Sequence, residues 1–306
     1  MLDPSLRPRA VEASTPGLVE PLVERLLDGL EGRDEAELMA EYFEPVSVLG
    51  LGQVLGLGHL SGDTLRRWFH GLAEGAINFE DDPARWAVAD ATGAEIDREL
   101  APVLERLDAE PDSSTISVML QHAEGSFEER VAQILPTLKV ILLGGMQEPG
   151  HAGGTTLVGL LLSGQAGEVA AAPDALVPQA VEEGLRWVSP IGTQTRRTRV
   201  PVELGDVALP AGANLGVLVS SANRDEEVWG SDADRFDLHR ARRTHAAFGF
   251  GPHFCSGHHF SRVQLRIALR RLLERYPALA LHPDRPPVFT GWEFRAPRNL
   301  DVLLRP

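Results

Sequence analysis

One stretch near the C-terminus carries most of the chemistry this sequence can offer: Phe248-Gly249-Phe250-Gly251-Pro252-His253-Phe254-Cys255-Ser256-Gly257. It holds Cys255, the only cysteine among 306 residues. The glycines and Pro252 favour a tight loop over a strand or helix. The run His258 to Tyr276, ended by Pro277, then reads as a helix. A cysteine on such a loop faces backbone N–H groups and the positive end of a helix, and both favour the thiolate. That thiolate could be a nucleophile, with His253, His258 or His259 as its base. It could instead be the single axial ligand of a haem iron, where it donates electron density that favours O–O cleavage. A small buried apolar cysteine is the third reading, and the commonest fate of a lone one.

The loop resembles the haem-binding loop of the cytochrome P450 superfamily in its bacterial soluble form, F-x-x-G-x-H/R-x-C-x-G. Phe248, Gly251, His253, Cys255 and Gly257 fill every fixed position. The resemblance implies Cys255 as axial thiolate of haem b (iron protoporphyrin IX), Phe248 beside the sulfur and His253 on a haem propionate. Gly249, Gly251 and Gly257 would let the backbone approach the porphyrin.

Upstream, Glu128 to Ser163 reads as one long apolar helical segment broken by Gly144-Gly145 and Pro149-Gly150, with polar Gln147 and Glu148 at the break. Taken alone, this pattern describes a helix–turn–helix with two solvated residues equally well. By resemblance it is the family's distal helix, whose pattern is A/G-G-x-D/E-T-T. Gly144 and Gly145 fit, whereas Gln147 and Glu148 replace the acid and the alcohol that pass protons during oxygen activation in the family. Glutamine cannot titrate. A carboxylate can take a proton from hydrogen peroxide and return it, so Glu148 with Gln147 points to a peroxygenase-like, peroxide-driven variant of the reaction.

Glu183 and Arg186 lie three apart on one helical face. The resemblance makes them the family's K-helix pair and completes the structural trio with Arg235 of Asp234-Arg235-Phe236. It also assigns Arg196 to one haem propionate and Arg7 to another. Met146, Ile191 and Phe294, the last in Gly291-Trp292-Glu293-Phe294, are the expected substrate contacts. Arg262, Arg266 and Arg270 repeat every four residues. They form either a solvated helix face or a docking patch for an acidic ferredoxin or flavodoxin.

The elements that must position these residues are mostly helical. Residues 1–12 read as an irregular entry, with a helix beginning at Ser14-Thr15-Pro16 and a buried stripe running to Leu30. Glu35 to Tyr42 continues helically and Pro45 closes it. Further helices are expected at Thr64 to Glu74, Ala84 to Leu107 and Val177 to Val188, and Val200 to Leu218 reads as a hairpin-like small sheet. The expected fold is mainly α with small β hairpins, one P450-like domain over 1–306, N-terminally shortened. The family's first strands and first two helices have no counterpart, which implies an open pocket, a wall from another chain, or a truncated reading frame.

A net charge of −15 argues against nucleic-acid binding, which needs clustered cations. One cysteine excludes an internal disulfide, and the lack of CxxC patterns argues against zinc ribbons and covalent haem. The opening MLDPSLRPR has no apolar core of a signal segment, and Val140 to Met146 is too short to span a bilayer. A cytoplasmic setting with no membrane partner is expected. The leading expectation is an oxygenase acting on a small hydrophobic or aromatic substrate by hydroxylation or O-dealkylation. The alternative is a non-oxygenase haem protein of the same fold: a sensor, a scaffold or a partner-recruiting domain. A haem-free cysteine nucleophile would leave the E-x-x-R pair and the residues around Cys255 unexplained.

Overall fold

The computed structural model describes residues 3–305. The chain begins with α1 (Asp3–Leu6) and α2 (Pro8–Asp28), then β1 (Glu35–Glu37), a π-helical turn at Met39–Phe43, α3 (Glu44–Leu55), α4 (Gly62–Ala76), α5 (Pro83–Ala109) and α6 (Thr115–His122). The long central segment is α7 (Phe127–Gly144) and α8 (Glu148–Leu162), followed by α9 (Ala166–Ala171) and α10 (Pro173–Trp187). Four strands follow, β2 (Thr193–Arg197), β3 (Val202–Leu204), β4 (Val207–Leu209) and β5 (Asn214–Leu218), with short α11 (Val219–Ala222) and α12 (Glu226–Trp229) after them. Past the cysteine loop come α13 (His258–Arg275), β6 (Ala280–Leu281), β7 (Phe289–Thr290), β8 (Ala296–Pro297) and β9 (Asp301–Leu303). The strands form small antiparallel sheets, β1-β9-β6, β2-β5, β3-β4 and β7-β8. Mostly helical with small hairpins is thus the architecture the residues predicted.

Local chemistry sets many of the boundaries. Ser61 and Asp82 accept N–H bonds at the starts of α4 and α5, and Ser126 with Glu129 closes a capping box on α7. Two apolar clusters form the interior. One joins α2, the π-helical turn, α8, α10, α13 and β9; the other joins α3 to α7 and reaches the start of α13 through Phe260 and Val263. Among the described residues, no helix is long and apolar enough to cross a membrane.

Three boundaries differ from expectation. Helix α2 starts at Pro8, where proline suits a first turn, and carries Pro16 and Pro21 inside it. Its buried stripe of Val11, Thr15, Val19, Leu22, Val23 and Leu27 packs along α13, which outweighs the two lost N–H donors. Glu35–Glu37 is a strand rather than a helix, because Ala36 pairs with Val302 at the far end of the chain. Pro45 opens α3 instead of closing the preceding element.

The buried ion network also needs one correction. Glu183 takes Arg186 through two bonds of 2.8 Å. Its second cation is Arg240, whose Nε lies 3.1 Å from Oε1, and not Arg235. Arg235 is exposed and contributes only its backbone carbonyl, 2.8 Å from Arg186 Nη2. The turn closed by Arg240 N–H on Asp237 O brings Arg240 back onto Glu183. Arg186 is 1% exposed, so deleting a partner strands a desolvated charge. Replacing Glu183 or Arg186 by Ala should cost about 3–5 kcal/mol in denaturant unfolding, whereas Arg235→Ala should stay within about 0.5 kcal/mol. Equal losses at Arg235 and Arg240 would contradict this assignment.

Candidate active site

The cysteine loop is shaped by its own backbone. Gly249 and Gly251 hold φ of 70° and 64°, a region where a side chain is strained. Gly249 N–H donates to Ala246 O at 2.8 Å and Cys255 N–H to Phe248 O at 2.9 Å, and a single 3-10 turn at Gly251–His253 lies between them. The loop then enters α13, and the N–H groups of Gly257 and His258 face the sulfur. Burial is the strongest influence on Cys255 and pushes its thiol up. The charge of Glu148 acts in the same direction, while the two N–H groups and Arg262 oppose it. Loop amides and a helix end therefore do not make a thiolate by themselves here, because desolvation outweighs them. A coordinated metal ion would reverse that balance, since ligation deprotonates a thiol outright.

Behind the loop, the Arg262 guanidinium stands 4.4 Å from the centre of the Phe248 ring. Arg262 also grips Glu182 with bonds of 2.5 and 2.9 Å, and His245 Nε2 reaches the same carboxylate at 3.2 Å. Burial pushes Glu182 up, but Arg262 and His245 more than reverse this and hold it at about 2. The three arginines of the expected basic stripe are all paired: Arg262 with Glu182, Arg266 with Glu12 at 2.7 Å, and Arg270 with Asp174 and Glu274. That face of α13 is therefore neutralised. Glu12, Glu182 and Asp174 come from α2 and α10, which spacing within one helix could not reveal, whereas Glu274 lies four residues beyond Arg270 on α13 itself.

The break between α7 and α8 carries Glu148, whose charge is felt at the sulfur. Gly145 leaves helical geometry (φ −132°, ψ −1°), and Pro149 occupies the first turn of α8. Gln147 and Glu148 are both buried. Glu148 Oε2 accepts the Gln147 N–H at 3.3 Å, and Oε1 is buried with no protein partner. Burial pushes Glu148 up to about 7, against a smaller opposing pull from the N–H groups of Glu148 and Gln147. Its charge reaches Cys255, which sets the two groups within electrostatic range of each other.

The surroundings suit a flat apolar group bearing one metal. A Cβ added at Gly144 or Gly251 would meet nothing within 4 Å. Val140, four residues before Gly144 on the same face, is 67% exposed, and Phe250, Phe254 and Leu218 also leave large apolar surfaces open. Among the described residues, no group of three His, Cys, Asp or Glu side chains could hold a bare ion. A metal held on Cys255 would take its remaining ligands from a cofactor such as a porphyrin. Arg196, exposed on β2, bonds Gln194 Oε1 at 2.9 Å, and the Gln194 amide lies beside Gly249. His253 is exposed on the loop. Arg7 caps the start of α2, its carbonyl taking the N–H groups of Ala10 and Val11.

The expected substrate contacts divide. Ile191 and Phe294 meet in an antiparallel bridge, held by Gly192 N–H on Glu293 O at 2.8 Å and Arg295 N–H on Pro190 O at 2.7 Å. The Phe294 ring stands edge-on to Phe69 of α4 at 5.8 Å, a neighbour that no local signal in the sequence marks. Met146 is fully buried in the apolar cluster of α3 to α7. The exposed face of this segment is Val140 and Gly144 instead. A four-residue spacing from Gly144 would have found Val140.

A family model described as Cytochrome P450 matches residues 175–303. The chain is 32% identical over 281 residues to Cytochrome P450 107B1 of Saccharopolyspora erythraea, covering 90% of this chain and 66% of that protein. It is 31% identical to a steroid C26-monooxygenase of Mycolicibacterium smegmatis, covering 93% and 71% respectively. Among solved structures, the fold is similar to P450BioI bound to an acyl carrier protein carrying hexadec-9Z-enoic acid (TM-score 0.88, 24% identity, 99% of this chain and 77% of that one). It is also similar to CYP109Q5 of Chondromyces apiculatus (TM-score 0.84, 28% identity, 99% and 74%). With its cysteine loop, broken distal helix and buried Glu183–Arg186 pair, the chain belongs to the cytochrome P450 family and is of the monooxygenase type.

Proposed function

We propose that the chain holds haem b on Cys255 and inserts oxygen into a small hydrophobic or aromatic substrate, by hydroxylation or O-dealkylation, with hydrogen peroxide as a usable oxidant. The observation that carries this reading is Glu148, a buried carboxyl near neutrality with a free oxygen, within electrostatic range of the cysteine sulfur. When bound, the haem supplies the redox chemistry that cleaves an O–O bond. Cys255 gives it one soft ligand held by the loop. Arg196, His253 and Arg7 are the candidates for its propionates, and Gly144, Gly249, Gly251 and Gly257 keep the walls low; a Cβ at Gly145 would instead meet Ile141 O at 3.0 Å and Leu51 at 3.2 Å.

Gln147 cannot titrate, so it positions and does not shuttle. Glu148 would accept a proton at Oε1 from one oxygen of hydrogen peroxide and return it to the other, the proton handling that O–O cleavage at a bound haem would need. Ile191 and Phe294, with Phe69, offer an apolar wall to the substrate. The steroid C26-monooxygenase among the relatives is consistent with a hydrophobic substrate class. For electron delivery from a ferredoxin or flavodoxin-type partner, Arg242 and Arg243 replace the neutralised stripe. Both are exposed beside His245 at the mouth of a cleft that also holds Arg262, and neither has an ion pair among the described residues.

Four outcomes are expected. Glu148→Thr should lower peroxide-supported turnover by about a hundredfold or more; unchanged or higher turnover removes Glu148 from the reaction and favours a non-oxygenase haem protein. The ionised carboxylate is the base, so the peroxide-supported rate should rise with pH through about 7, a limb missing in Glu148→Gln. The same group makes folding pH-dependent. Its folded pKa lies above the unfolded value, so stability is unaffected well below pH 4.5, falls as pH rises, and is fully reduced above about 7. Thermal melts should therefore show Glu148→Gln gaining on wild type only as pH increases. Finally, charge reversal at Arg242 and Arg243 should weaken binding of an acidic ferredoxin at low salt and leave peroxide-supported turnover unchanged.

A further inference from the structure

Glu148 is not the only buried polar group on its face of α8. His151 follows at i+3 and Thr155 at i+7, which places all three on one side of the helix. Glu148 and His151 are each 8% exposed and Thr155 is fully buried. Each has one buried atom without a protein partner: Glu148 Oε1, His151 Nδ1 and Thr155 Oγ1. Buried polar atoms are almost always hydrogen-bonded, so three orphans in one row call for a shared file of water. Side chains three apart on a helix sit about 5–6 Å from one another at Cβ, a spacing one water can bridge. Thr156, one residue beyond the row, satisfies itself on Ala152 O at 2.7 Å and faces Gly184, so the orphaned groups are confined to this face. Because Nδ1 is fully buried, what accessibility His151 keeps lies away from that atom.

We propose that His151 is the proton-transfer partner of Glu148, joined to it by a bridging water. The inference rests on the role given to Glu148 above and extends it. A proton leaves Glu148 Oε1 for the water, the water passes one of its own to His151 Nδ1, and the ring releases the proton on Nε2. The reverse sequence recharges the carboxyl. Thr155 Oγ1, able both to donate and to accept, anchors the inner end of the file. The electrostatics agree with neutral partners: burial alone lowers His151 to about 4, so the resting imidazole is uncharged and able to accept. No charged side chain from the elements packed on α8 contributes to the shift of either group, and Cys255 is the titratable group that feels Glu148.

The test is infrared difference spectroscopy of the haem-loaded protein across a pH titration, with the Glu148 carboxyl band identified by its loss in Glu148→Gln. His151→Leu removes the bridge. The ionised carboxylate then loses a charge-assisted hydrogen bond, and the Glu148 midpoint should rise by about one pH unit while the protonated C=O band moves up in frequency. His151→Gln keeps a hydrogen-bonding group, so the midpoint should return to within a few tenths of wild type. Glutamine cannot titrate, so peroxide-supported turnover should stay several-fold slower. A Glu148 midpoint and band unchanged in His151→Leu would overturn the proposal. This infrared result does not depend on turnover, so it fails separately from the catalytic role of Glu148, which Glu148→Thr judges. If His151→Leu does not fold, peroxide-supported turnover of His151→Gln decides instead, and a Gln variant as fast as wild type would overturn the shuttle.

Discussion

Desolvation of two acids within electrostatic range of each other is the constraint on which this site depends. Cys255 and Glu148 are both pushed toward their protonated forms by burial, and the charge of Glu148 adds to the resistance at the sulfur. Neither push would survive in an open, hydrated loop. The glycine turns at 249 and 251 and the start of α13 fix the sulfur, and the break at Gly145 with Pro149 after it fixes the carboxyl. A thiol so placed becomes a thiolate when something stronger than backbone N–H groups holds it, and a metal ion is such a thing. A carboxyl poised near neutrality can both take and give a proton at ordinary pH. One physical term thus prepares the two groups for different tasks.

The scaffold keeps these groups in place with a second set of buried charges that are fully matched. Glu183 joins Arg186 and Arg240, and Glu182 joins Arg262 and His245, the two carboxylates being neighbours on α10. Arg262 links this network to the loop by stacking on Phe248. The cysteine loop is therefore braced from behind through α10 and α13, while its front stays apolar and open. Matched charges behind and unmatched polar atoms in front separate the supporting structure from the working face.

Much of this was legible in the residues, and what was not has a physical reason. The cysteine loop could be read because its geometry is local, set by glycines and a proline within ten residues of each other. The break between α7 and α8 could be read for the same reason. Strand β1 could not, since Glu35 to Glu37 depends on pairing with β9 at the other end of the chain. The stripe of Arg262, Arg266 and Arg270 looked free because its counter-charges lie on α2, α10 and the far end of α13. Arg235 lost its place to Arg240 because a turn, invisible to spacing, reverses the chain between them. Met146, expected at the substrate, lies in the apolar core instead, because tertiary packing of α3 to α7 covers it and no local spacing shows that.

The most direct test of the central claim is the absorption spectrum of the purified protein, reduced and then exposed to carbon monoxide. Thiolate ligation by Cys255 predicts the strongly red-shifted Soret band of a thiolate-bound carbonyl complex. A band at the unshifted position of histidine or neutral-thiol ligation, or no haem band, would contradict it.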